Sequence, residues 1–178
     1  MATQVPIAAE VVQKPSYFLS FSTGEPHVDL FAECLDIVFK NDFELKRTPF
    51  ILRGGASQLQ SILENIAGCA FGVVCLDGLR PNVVFEYGVL MGAKIPVLLF
   101  KEKDAKVDAK HLYNNVPNLN LPAHPLIDLD HQFSDIKDQN YVEWNRSRIR
   151  DTVKIIWDTY TGRRADIRAF VEIAEPKL

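Results

Sequence analysis

Short, nearly unbroken apolar runs alternate along this chain with stretches whose apolar residues recur at three- and four-residue steps. The first run, Tyr17-Phe18-Leu19-Ser20-Phe21, is bounded by the turn-rich Ser22-Thr23-Gly24-Glu25-Pro26 and predicts a buried strand. Val28, Phe31, Leu35 and Val38, with Ala32 and Phe39 alongside, predict an amphipathic helix whose first turn suits Pro26. Phe43 to Leu52 reads as a second strand, at an edge or ended early because of Pro49. Arg53-Gly54-Gly55 breaks the chain. Ser57 is then a candidate cap for a helix with the stripe Leu59, Ile62, Leu63 and Ile66, ending near Gly68.

Phe71-Gly72-Val73-Val74-Cys75-Leu76 is almost wholly apolar, as expected of a central parallel strand covered on both faces. Pro81-Asn82 opens a helix over Val83 to Ala93, and Ile95 to Phe100 follows as a fourth strand with Pro96 near its start. Residues 101–120 read as a long loop, its sign-alternating part Lys101 to Lys106 being a solvated segment. Leu126 to Leu129 is the candidate fifth strand. Trp144, Ile149, Val153, Ile156, Trp157 and Tyr160 predict a closing helix, and Ile167 to Ile173 a short strand or the start of a further element. Strict strand–helix alternation implies parallel pairing through right-handed crossovers. The fold class is therefore α/β, a three-layer parallel sheet of about five strands, flavodoxin-like in plan. Residues 1–15 form a tail or linker, 16–162 the α/β domain and 163–178 a C-terminal extension; the chain could also be one domain of a longer protein.

Composition narrows the function classes. Apolar residues make up 47% of the 178 positions and charged residues 24%, which is ordinary globular composition. A net charge of −3 argues against a general grip on nucleic acid, which needs a basic face, although a local basic groove is compatible with it. Cys34, Cys69 and Cys75 contain no CxxC pair and suit reduced core thiols in a cytoplasmic protein. The N-terminus has no basic region followed by an apolar run, and no apolar stretch approaches a membrane span. The four histidines, His27, His111, His124 and His131, have no HExxH or cysteine pairing, so no metal site is expected.

In an open parallel sheet, ligands sit beyond the carboxyl ends of the strands where strand order reverses. That rule selects Phe21–Glu25, Arg53–Ser57 and Asp77–Glu86. Asp77 ends a buried strand, so its carboxylate is expected in the crevice. Asn82 is a candidate N-cap, and Glu86 stands four residues on, among Val83, Val84, Phe85, Val89 and Leu90. A lone first-turn glutamate usually just complements the helix dipole; its position beside Asp77 and Asn82 favours a functional role. Phe21, Ser22 and Thr23 offer hydroxyls and backbone donors toward a phosphate, equally an ordinary strand–helix turn. Arg53-Gly54-Gly55 lacks both GxGxxG and the P-loop pattern, so a plain helix lead-in competes with pyrophosphate contact. Tyr87 and Trp144 are candidates to stack on a base, against the commoner reading as core aromatics.

The segment Phe71 to Phe100, FGVVCLDGLRPNVVFEYGVLMGAKIPVLLF, resembles the core motif shared by TIR-like nucleotide-binding domains and nucleoside 2-deoxyribosyltransferases. The matching pieces are Asp77, Pro81-Asn82-Val83, Phe85-Glu86-Tyr87-Gly88 and Lys94-Ile95-Pro96; YFLSFS is similar to a first TIR strand, and the likeness spans most of residues 17–100. It implies that Glu86 is the catalytic residue and that the bond broken is N-glycosidic. The leading expectation is an NAD(P)⁺ glycohydrolase with NAD⁺ as substrate and no cofactor. It further implies a defence or cell-death effector activated by self-association, with Phe21, Ser22, Thr23, Arg53, Asp77, Asn82 and Tyr87 toward the dinucleotide. A non-catalytic nucleotide-sensing or adaptor module, and a deoxyribosyltransferase or N-glycosidase, are the alternatives. This chain departs from the usual Glu-Leu-Gly by carrying Tyr87 after Glu86, and its loop between Asp77 and Pro81 is short.

Overall fold

A computed structural model describes residues 14–22, 26–47, 58–77, 81–103 and 141–174. They form β1 (Ser16–Ser20), α1 (Pro26–Phe39), β2 (Glu44–Lys46), α2 (Gln58–Ile66), β3 (Cys69–Cys75), α3 (Pro81–Gly92), β4 (Val97–Glu102), β5 (Val142–Trp144) and α4 (Ile149–Ala174). The strands make one parallel sheet in the order β2-β1-β3-β4-β5. The expected three-layer α/β architecture is thus the observed one. Between β1 and β3 the order reverses, because the chain steps outward one way from β1 to β2 and the other way from β3 to β4. In open α/β sheets that reversal is where ligand crevices form.

The two faces of the sheet carry different cores. Tyr17, Leu19, Phe71, Val73, Cys75, Leu98, Phe100 and Trp144 pack against Val28, Phe31, Leu35 and Phe39 of α1 and Ile156 and Ile167 of α4. Phe18, Val74, Leu76 and Leu99 pack on the other face against Ile62 and Ile66 of α2 and Val83, Tyr87 and Leu90 of α3. Side chains point alternately along each strand, so both faces of an interior strand need apolar residues. This is why β3 reads as an unbroken apolar run.

Two glycines shape the α2/α3 side. Gly68 takes φ +81° just past the end of α2, a conformation that lets the chain turn directly into β3. A Cβ on Gly72 would come within 2.6 Å of Leu90 Cδ1, so the missing side chain is what allows α3 to lie close on β3.

Several expectations are corrected. β4 does not stop at Phe100: it runs on through Lys101 and Glu102, both buried, where a solvated loop was expected. Trp144 belongs to β5, opposite Glu102, and not to the closing helix. That helix starts at Ile149 and continues through Ala174, so Ile167–Ile173 is not a strand. Ile167, Phe170 and Val171 repeat at helical spacing, and Ile167 and Val171 pack on the aromatic core. Only Ile62 and Ile66 of the α2 stripe are buried, Leu59 and Leu63 being exposed. The strand expected at Leu126–Leu129, the cap Ser57 and most of the loop expected at 101–120 lie outside the described residues.

Candidate active site

At the strand-order reversal, β1 and α3 come together first. Pro81 is the first residue of α3, where its missing N–H costs nothing. Asn82 is therefore the second helical residue, exposed, and not the cap that the sequence suggested. Glu86, the sixth residue, lies beyond the first turn, where the helix dipole has largely faded. Its side chain turns inward and is only 5% exposed. There it meets Ser20, the last residue of β1, whose hydroxyl donates to Glu86 Oε2 at 2.6 Å. A buried carboxylate is costly unless hydrogen bonds replace its water, and a donor this close is the expected compensation. The bond crosses 66 positions of sequence and joins β1 to α3 at the strand-order reversal.

Asp77 lies just past β3 and is fully buried, but it serves the other face. Its Oδ1 accepts the backbone N–H of Glu102 at 2.7 Å and its Oδ2 accepts the Cys75 thiol at 3.0 Å. His27 Nε2 stands 3.7 Å from Oδ2, from the first turn of α1. Burial pushes the Asp77 carboxyl above its usual range; the Cys75, Glu102 N–H and His27 interactions oppose that rise without cancelling it. The Cys75 thiol is in turn pushed well up, by burial first and by the Asp77 charge second. Asp77 is a tie between the ends of β3 and β4, backed by α1. The expected convergence of Asp77, Asn82 and Glu86 in one crevice does not occur: Asp77 bonds on the α1 side, Glu86 on the α3 side, and Asn82 points outward.

Around this pair, Ser22 is buried and its hydroxyl donates to the Asp77 carbonyl at 2.8 Å, fastening the exits of β1 and β3 together. Phe21 is partly buried with the Arg47 guanidinium 5.4 Å over its ring. Tyr87 packs in the α2/α3 core and burial raises its phenol above the ordinary value; Trp144 packs beside Phe31 with centroids 4.9 Å apart. Both serve the core. His27 is largely enclosed, not a surface histidine. Thr23 and Arg53 lie outside the described residues. Cys34 and Cys69 are buried free thiols, each raised above its usual value chiefly by burial, so all three cysteines are core thiols.

Sequence reasoning missed the Ser20–Glu86 bond, since nothing local links a serine ending one strand to a glutamate in a distant helix. It also missed the burial of Lys101 and Glu102. One signal was available: both continue the alternation of β4, with Lys101 on the Val97–Leu99 side and Glu102 on the Leu98–Phe100 side.

No protein-family model matches the chain, and no curated protein matches it. Among the described residues no group of three or more His, Cys, Asp or Glu side chains is gathered to hold a metal ion. No helix among them is long and apolar enough to cross a membrane.

Proposed function

We propose that the chain cleaves the N-glycosidic bond of a nicotinamide dinucleotide, with Glu86 as the catalytic carboxylate. The observation that carries this reading is an acidic side chain 5% exposed at the strand-order reversal, with Ser20 donating to it at 2.6 Å. As the bond between ribose C1′ and the pyridinium nitrogen breaks, its electron pair moves to nitrogen and nicotinamide leaves neutral. No general acid is needed. Positive charge builds on the ribose, and a fixed carboxylate in a site of low polarity stabilises it. Water then adds to C1′, its proton passes to solvent, and ADP-ribose results. Ser20 keeps the Glu86 carboxylate in one orientation, so less reorganisation is required as charge develops.

The resemblance of residues 17–100 to TIR-like domains supports the same bond class, a cytoplasmic setting and a role as a defence or cell-death effector. Self-association is supported by exposed apolar side chains on the helices beside the site: Leu59 and Leu63 of α2, and Phe85 and Met91 of α3. A nucleotide-sensing module without turnover is the second reading, favoured by how deeply Glu86 is enclosed. Nicotinamide release from NAD⁺, measured under conditions that promote assembly, separates the two. Wild-type protein is expected to release nicotinamide and Glu86→Gln to do so at least 100-fold more slowly, the scale of losing one charge-stabilising group. Equal rates in the two proteins would overturn the assignment, and binding without release would favour the sensing module.

A further inference from the structure

The α1/α4 face of the molecule presents two exposed rows of opposite charge. Asp29, Glu33 and Asp36 of α1 are exposed and follow one another at steps of four and three residues, so they line one side of the helix. Arg150, Lys154 and Trp157 of α4 are exposed and repeat the same two steps. Among the described residues none of the three acids is in an ion pair, and neither is Arg150; Lys154 pairs with Asp158 of its own helix. Each row also carries apolar surface that the fold leaves uncovered: Ile37, next to Asp36, is 58% exposed and Trp157 47%. Tryptophan exposed in this way is characteristic of interfaces.

The two rows stand at the same height. His27, in the first turn of α1, lies beside Trp144, just ahead of α4, with ring centroids 6.1 Å apart, and Phe39 at the end of α1 meets Tyr160 at 5.3 Å. The two helices therefore run in the same direction. Counting back from the Phe39–Tyr160 contact, Asp36 and Trp157 lie three residues before it, Glu33 and Lys154 six, and Asp29 and Arg150 ten. A rise of 1.5 Å per residue gives each row a length of about 10 Å.

This matching has a geometric consequence. A two-fold axis parallel to the helices, over the gap between them, leaves height unchanged and sets α1 of one copy against α4 of the other. It brings Asp29 opposite Arg150, Glu33 opposite Lys154, and Asp36 with Ile37 opposite Trp157, each contact being made twice. None of these pairs is of like charge.

We propose that this face docks a second copy of the chain, with α1 of each copy on α4 of the other. The charge pairs set the register, and Trp157 is the apolar anchor between them. The surface is separate from the exposed apolar side chains of α2 and α3, and the proposal stands independently of the role given to Glu86, since its test reads mass and not turnover.

Sedimentation velocity of the full chain over a range of concentrations provides that test. A dimer is expected, weakening as added salt screens the pairs. Glu33→Lys and Lys154→Glu each place like charges face to face at both contacts, so each is expected to raise the dissociation constant at least tenfold. Mixed in equal amounts, the two variants again present opposite charges at both contacts, and a heterodimer within about threefold of wild-type affinity is expected. Both positions are exposed, and circular dichroism establishes that the variants are folded. A wild-type chain that is monomeric at every concentration would overturn the proposal. A dimer that either charge reversal leaves intact contradicts it equally, as does a mixture of the two variants that stays monomeric.

Discussion

The two faces of the sheet each bury a carboxylate near the carboxyl edge, and they use it differently. On the α1/α4 face, Asp77 is held by a backbone N–H of the next strand and a thiol of its own, behind the aromatic wall of Phe31, Phe100 and Trp144. On the α2/α3 face, Glu86 is held by a side-chain hydroxyl, on a helix whose next residue outward, Phe85, is 46% exposed. A carboxylate bound by main chain cannot be given up without opening the sheet. The bond from the serine at the strand-order reversal is made by a side chain and can be changed without breaking a main-chain bond of the sheet. The comparison separates a structural tie from the acid proposed as reactive, although both have little exposure.

That contrast breaks most readily at Asp77. Asp77→Ala leaves a buried N–H and a buried thiol without their acceptor and opens a cavity, so urea unfolding is expected to show a loss of about 3–4 kcal/mol. The aromatic face has its own alkaline signature. Burial, offset in part by Arg47, pushes the Tyr17 phenol up to about 12 from an ordinary value of 10.0. The stabilisation is complete below pH 10 and is lost as pH rises toward 12, about 2–3 kcal/mol in all. Tyr17→Phe is expected to flatten unfolding curves across that interval.

Ser20→Ala is a smaller perturbation on the other face. It removes a charge-assisted hydrogen bond worth about 2 kcal/mol and is expected to lower the nicotinamide-release kcat about tenfold. Smallest is the pH slope carried by Asp77. Its carboxyl is raised on folding, so this group's contribution is most favourable below the usual carboxylate value of 3.8 and is lost as pH rises through the folded value. Asp77→Asn, which keeps an acceptor for the Glu102 N–H, is expected to gain stability relative to wild type as pH rises from 3.5 to 7. A parallel pair of pH–stability curves would contradict this.

The sheet was legible because its interior strands are buried on both faces: Tyr17 to Ser20, the run through Val73 and Val74, and Val97 to Phe100 carry continuous apolar sequence that little else explains. β5 was not, since Val142-Glu143-Trp144 is too short to show a period and holds its place only through pairing with β4. The full length of α4 was hidden by the charged turn Arg163 to Asp166, which reads as an ending although helical spacing resumes at Ile167. Glu86 was legible as a candidate from its apolar neighbours and its motif. What surrounds it was not, because Ser20 comes from a strand brought alongside only by the reversal of strand order. Asp77 misled for a related reason: a residue just past a strand end still points to one face or the other by parity, and parity sent it to α1.

The most direct measurement is made on Glu86→Gln alone, reading nicotinamide release and urea unfolding on the same preparation. Glutamine is nearly the same size and still accepts the Ser20 hydroxyl. The expected result is a fall in release of at least 100-fold with unfolding free energy within about 1 kcal/mol of wild type. Release at the wild-type rate, or a loss of release matched by a comparable loss of stability, would make Glu86 a second structural tie like Asp77.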